Sequence, residues 1–444
     1  MPWVKSNIGW VALAIAMQAQ NAFAEGDLLG ADEMAEAIVS MTSRVWTGPR
    51  TPSPIPTDRP LAGGLTLRST RALLAIHAEP QVSHDTLRRA MRALEHARAR
   101  LDALGWPQPL SDGDLGGGPE LDLYLTGSLR SAAYTDGLVP WTYLDRASVF
   151  VVLSPAIPSA LLDACVTEAY VEALLLSADP AEAETWRRAT SAWLAWELTG
   201  RFGCHDPIHE QQAEPSRSWI EGAAEHGAGG AMWLAYLSAR HDGSGDFVRD
   251  LWALASQRTW EGDGLRADPD LWSATQTAIE LGGDRLVDNV EELAVLRWFI
   301  GRGETRDSAL AGIDGDARVP VTRRMTRIPT RVSSRFPLDA FGSAYVVMNA
   351  AAWEDAARLH AWLRGEYGVR WSFVAIQLDA RGDEVRRIAA PHTAVEPHAF
   401  LPIELAEEAT ELLFVVTNLS NGVPDADEPS AEERGFQIIV DRAN

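Results

Sequence analysis

Near residue 318 the hydrophobic pattern of this 444-residue chain changes period. From 159 to about 300, apolar residues recur at the three- and four-residue steps of a helix face. After 318 they alternate, as they do on a half-buried strand. A helix-period stretch does not settle as a sheet, nor the reverse. The chain must therefore build a helical body and a strand-built one. Expected helices lie near 159–177, 182–200, 217–240, 246–257, 269–281 and 286–300. Expected strands lie at 344–348, 358–364, 371–378, 385–388, 411–416 and 436–440, and the turn at 379–383 joins two of them as a hairpin. Six or more short strands in about 125 residues read as a β-sandwich over 318–444.

Ahead of the helical stretch the signals are mixed. Residues 66–77 hold β-type runs. Ser83 opens a long helix whose stripe is Leu87, Met91, Leu94, Leu101 and Leu104, and Gly105 ends it. A Gly/Asp-rich turn over 111–118 leads to a strand at 121–125, and 148–153 reads as a second, buried strand. The fold class is thus α+β: a small sheet plus a helical bundle over 66–317, then the sandwich. Tryptophans stud the helices, among them Trp186, Trp193, Trp219, Trp233, Trp252 and Trp272. Such rings can stack on sugars, but helical spacing and apolar neighbours assign them to core packing.

The first 24 residues read as a signal peptide: Lys5 in a basic leader, an apolar run from Ile8 to Met17, and a small-x-small site at Ala22-Phe23-Ala24. Gln18, Gln20 and Asn21 interrupt that run, which is too short for a membrane anchor. No second apolar run reaches membrane length, so no span is expected after signal cleavage. Residues 25–65 supply one short helix (31–43) and a linker with Pro49, Pro52, Pro54, Pro56 and Pro60. An exported protein, periplasmic or extracellular, is expected. Its net charge of −23 argues against nucleic acid and anionic membranes as partners. Lys5 is the only lysine. Once it leaves with the signal, Schiff-base chemistry is excluded.

Cys165 and Cys204 are the two cysteines, and in an oxidising compartment they pair most simply with each other. Cys165 lies near the start of one predicted helix and Cys204 just past the end of the next, and antiparallel packing brings those ends together. The bridge closes a long loop and contributes on the order of 3–4 kcal/mol in the chain-entropy model. A catalytic cysteine is the other reading, but the surroundings of Cys165 are apolar and hold no histidine.

The order helix, strands, then a helix pair opening on an acidic position, with 164–171 reading Ala-Cys-Val-Thr-Glu-Ala-Tyr-Val, resembles the gluzincin-type zinc metallopeptidases. It is most similar to exported bacterial ones with a C-terminal β-sandwich. The resemblance covers roughly 66–300 by topology. In that family H-E-x-x-H sets two imidazoles four residues apart on one helix face, its glutamate activates the zinc-bound water, and a glutamate on the next helix completes the shell. The motif is absent here. The resemblance places the ligand positions at Thr167 and Val171 and the base at Glu168. It puts the third ligand at Glu197, or an arginine in its place if the string is Arg188-Ala189-Thr190. Thr and Val cannot replace two nitrogen ligands. Glu168 and Glu172 also read plainly as solvated or arginine-paired carboxylates.

One histidine pair remains, His205 and His209. On a helix they would share a face, but Pro207 between them argues for a loop. His77, His84 and His96 read as solvated or edge positions. Residues 421–428 could offer oxygens to calcium, although an acidic turn explains them as well. There is no G-x-S-x-G, P-loop, G-x-G-x-x-G or C-x-x-C. No cofactor is expected. The sequence points to a non-catalytic, peptidase-shaped exported protein that binds an unidentified protein or envelope component. The alternative is a metal-dependent hydrolase working through His205, His209 and a carboxylate.

Overall fold

A computed structural model of the chain describes residues 57–60, 64–138, 146–220, 224–256, 269–302, 310, 312–313, 317–353, 356–392, 397–420 and 433–443. The expected signal peptide, the helix at 31–43 and the acidic loop at 421–428 lie outside these residues.

The front sheet holds β1 (Leu65–Arg68), β2 (Leu74–Ala78), β3 (Leu121–Leu125), β4 (Ala132–Leu138) and β5 (Ala147–Leu153), in the order β1-β2-β3-β5-β4. β2, β3 and β5 run parallel, and antiparallel β1 and β4 close the edges. Parallel neighbours need a crossover, which α1 (His84–Ala103) supplies between β2 and β3. Its N-cap is Ser83, whose side chain accepts from the Thr86 N–H. The expected stripe faces inward, with Leu87, Met91, Leu94 and Leu101 buried. β2, β3 and β5 are buried on both faces, as strands under a helical layer should be. β4 escaped the pattern because its sequence, AAYTDGL, lacks a β-branched run and its register shifts between Thr135 and Gly137.

The helical body follows: α2 (Leu162–Ala178), α3 (Glu184–Thr199), α4 (Pro207–Ala213), α5 (Ala224–Gly227), α6 (Ala231–His241), α7 (Asp246–Ala255), α8 (Leu271–Leu281) and α9 (Leu286–Phe299). α2 is buried along nearly its whole length, packed on β4, β5, α1 and α3. Trp186, Trp219, Trp233 and Trp272 form one buried cluster with Phe341, ring centroids 4.9–6.4 Å apart, so these tryptophans are core. The continuous helix expected at 217–240 is corrected. Residues 217–220 are not helical, and after Ala224–Gly227 the chain narrows to a 3₁₀ turn at Ala228–Gly230 before α6. A Cβ at Gly229 would sit 2.3 Å from the Gln211 Cβ, so α4 approaches the chain there closely enough to demand glycine.

The C-terminal strands form two facing sheets. One orders β11 (Glu384–Ala389), β10 (Trp371–Leu378), β13 (Glu411–Asn418), β8 (Ser343–Asn349) and β6 (Arg323–Met325); the other orders β12 (His398–Glu404), β9 (Arg358–Gly365), β14 (Phe436–Arg442) and β7 (Thr330–Ser333). Val346, Phe373 and Phe414 of the first meet Leu363, Leu401 and Ile438 of the second in one core. The expected hairpin is present, with Asp379 N–H donating to Asp383 O at 2.9 Å. β6, β7 and β12 add to the strands expected. The first two are short, and β12 carries Pro402, which an edge strand tolerates.

The sandwich and the helices share an apolar layer. Ala294, Val295, Trp298 and Phe299 of α9 pack on Tyr345, Val347, Val374, Ile376, Leu413 and Val415. The Tyr345 hydroxyl donates to Ala294 O at 2.7 Å. Covered on both faces, β10 is buried at every position, which is why it reads as a continuous apolar run.

Candidate functional site

Cys165, in the first turn of α2, is disulfide-bonded to Cys204, beyond the end of α3, across a sequence separation of 39. Antiparallel packing of the two helices brings them together, as the sequence led us to expect. Glu168 stands one turn beyond Cys165 on the same face. Its Oε2 accepts the Cys204 N–H at 2.8 Å, and the side chain is half-buried. Gly203 makes room for it: φ is +107° and a Cβ there would lie 2.1 Å from Glu168 Oε2. Glu172, a turn further on, is buried. Arg188 of α3 brings Nη2 to 3.9 Å from Glu172 Oε1 and donates Nε to Glu184 Oε1 at 2.8 Å.

Burial pushes the Glu168 carboxyl up to about 7; the Cys204 N–H opposes this, Glu172 adds to it, and Arg188 also opposes. Burial likewise raises Glu172, against the pull of Arg188. The arrangement is two protonatable carboxyls four residues apart beside one guanidinium.

Thr167 and Val171, expected from the sequence resemblance at the ligand positions, are taken up by packing. Thr167 Oγ1 donates to Asp163 O at 2.8 Å, and Val171 is fully buried. Glu197 is exposed and joins no ion pair among the described residues. His205 and His209 are both exposed. Pro207 does not hold them in a loop, as expected, but occupies the first position of α4, where its missing N–H costs nothing. Asp206 caps that helix, accepting the His209 N–H at 3.2 Å. His205 precedes the helix, so the two imidazoles share no helical face. Among the described residues no group of three His, Cys, Asp or Glu side chains is placed to hold a metal ion.

One buried polar cluster was missed by sequence reasoning. Arg59, from the proline-rich strap, grips Asp136 with Nε to Oδ1 at 2.8 Å and Nη2 to Oδ2 at 2.6 Å, and also binds Asp112 and Asp122. His77 Nε2 lies 2.8 Å from Asp122 Oδ1, and Thr66 Oγ1 lies 3.2 Å from His77 Nδ1. The His77 ring stacks on Tyr124 at 4.8 Å. His77, expected to be solvated or at an edge, is 4% exposed because β2 is an inner strand; His84 and His96 are exposed. Burial opposes the charge of Arg59, but Asp136 and Asp112 outweigh it and hold the guanidinium above its usual range. The signal that could have found this cluster is Asp122, a carboxylate between Leu121 and Leu123 in a strand buried on both sides. Its chemistry is that of a tether, with three carboxylates gathered on one planar cation.

A shallow cleft of about 380 Å³ lies where the sandwich meets α9, with Trp298, Arg302, Arg324 and Glu411 among its lining. Arg302 stacks on Trp298 at 3.8 Å and donates to the Trp298 and Val319 carbonyls, so its guanidinium is already engaged.

No family model matches the chain, and no curated protein matches it. Among solved structures, the pre-peptidase C-terminal domain of a collagenase from Bacillus anthracis is 14% identical, with 27% of this chain and 96% of that one covered at a TM-score of 0.20. The enzymatically active domain of bacteriophage CBA120 tailspike protein 4 is 12% identical, with 27% of this chain and 17% of that one covered at a TM-score of 0.18. Both scores fall below what identifies a fold.

Proposed function

We propose that this chain is an exported, metallopeptidase-like protein that performs no catalysis and binds a protein partner or a component of the cell envelope. The observation that carries this reading is the use made of the carboxylate at the base position. A peptidase base must reach a metal-bound water. Glu168 instead accepts a backbone N–H beside a disulfide, and Arg188 stands by its neighbour Glu172. Thr167 and Val171 offer no nitrogen at the ligand positions. The apolar N-terminal segment supports export, and so does the disulfide, since such bridges persist in oxidising compartments. Among the described residues no helix is long and apolar enough to cross a membrane.

Metal analysis of the full chain, purified without chelators, tests the reading. The expected result is no stoichiometric zinc and the same content in His209→Ala. A full equivalent of zinc that disappears in His209→Ala overturns it in favour of a metal-dependent hydrolase at His205 and His209.

A further inference from the structure

The four-stranded sheet of the sandwich turns one face to its partner sheet and the other outward. Alternation ordinarily leaves a polar surface there, and on this face an aromatic and apolar row interrupts it. Cross-strand register sets Phe400 beside Trp362, Trp362 beside Ile439 and Ile439 beside Arg331, one row across all four strands. The next row holds His398, Arg364, Gln437 and Ser333, and the row on the other side holds Pro402, His360 and Asp441. Three rings meet at the centre: Trp362 and Phe400 lie 5.5 Å apart and tilted by 38°, and His360 meets them edge-on at 5.7 and 5.1 Å. Phe400 is 44% exposed, and Trp362 and His360 are half-buried. Single exposed apolar side chains need no explanation, whereas a contiguous aromatic platform does.

The charge around the platform is the second observation. The chain as a whole carries −23, yet this face presents Arg331, Arg358 and Arg364 against Glu404 and Asp441. Arg358 is paired with Glu404 at 2.9 Å. Arg331 and Arg364 are exposed and make no ion pair among the described residues. A cationic, aromatic face on an acidic molecule selects an acidic ligand with flat apolar surfaces, and the rest of the chain repels that ligand from other approaches.

We infer that this face binds an extended acidic polysaccharide, a glycan chain bearing carboxylates. Its sugar rings lie flat on Trp362 and Phe400, and its carboxylates reach Arg331 and Arg364 as charge-assisted, fork-shaped pairs. The row from Phe400 to Arg331 spans three strand spacings, about 14 Å, enough for more than one sugar ring. The inference rests on the proposal above that the chain is exported to bind an envelope component, and it names the component's chemistry.

Retention of the full chain in native gels cast with polygalacturonate, with neutral dextran and without polymer tests it. Polygalacturonate is expected to slow the wild type and dextran is not. Trp362→Ala and the exposed-site variant Phe400→Ser, each checked for an unchanged melting temperature, should weaken retention at least about tenfold. Arg331→Gln combined with Arg364→Gln should remove its salt dependence. If Trp362→Ala does not fold, Phe400→Ser decides alone. No retention by polygalacturonate overturns the inference, as does retention that Phe400→Ser leaves unchanged. Equal retention in gels holding single-stranded DNA overturns it too, because the face would then select only charge and stacking. Each such failure leaves the zinc measurement, and with it the non-catalytic reading, standing on its own.

Discussion

Glu168 links the disulfide and the helix pair in one side chain. Its carboxyl is held up at about 7 by burial, whereas in an unfolded chain a glutamate titrates near 4.3. Between those values the folded protein keeps a proton that the unfolded one has released. The stability this group contributes is therefore full below about pH 4.3, declines as the pH rises towards 7, and is gone above it. Glu172 shifts in the same direction. Glu168→Gln is uncharged throughout and still accepts the Cys204 N–H. Urea titrations should find it close to wild type near pH 4.5 and more stable by about 1–3 kcal/mol at pH 8. A variant that parallels wild type across this range would mean that the carboxylate is solvated in the folded protein.

At the scale of elements, the strap and the front sheet depend on each other through Arg59. Removing its guanidinium leaves Asp112 without a partner among the described residues and Asp122 with His77 alone, and both carboxylates are 1% exposed. Arg59→Ala should cost about 3–5 kcal/mol in equilibrium unfolding, and Arg59→Lys should recover only part, since an ammonium cannot serve three carboxylates with a fixed fork. A loss below about 1 kcal/mol would show the strap to be an ornament of the sheet. This cluster also marks where sequence reasoning stops. α1 was legible because Ser83, a clean stripe and Gly105 agree with one another, and β8, β10 and β13 because alternation or apolar runs end in turns. The Cys165–Cys204 pair was legible from compartment and helix ends. By contrast, Arg59, Asp112, Asp122 and Asp136 meet only through sheet order and are widely spaced along the chain, so no local window contains them. Pro207 misled because proline breaks a helix interior yet opens a helix equally well. The break at 228–230 answers to the approach of Gln211, again a tertiary cause. Glu168 was legible only as a position; that its partner is the Cys204 N–H required the fold.

For the molecule as a whole, the apolar layer between α9 and the five-stranded sheet is reinforced by polar ties. Ser372 donates to Glu291 at 2.6 Å, and Arg387 pairs with Glu292. Such a junction couples the helices to the sandwich, so the two should unfold together although their sequence patterns differ. The helix pair is held by the Cys165–Cys204 bridge and by Arg188 between Glu172 and Glu184, with no need of a metal. A bound metal stabilises the folded state by mass action, and removing it lowers the melting temperature. Calorimetry of the full chain in a chelator, and then with zinc added, tests both statements at once. The expected result is a single transition with matching calorimetric and van't Hoff enthalpies, at the same temperature in the two conditions. A midpoint lowered by the chelator and restored by zinc would contradict it.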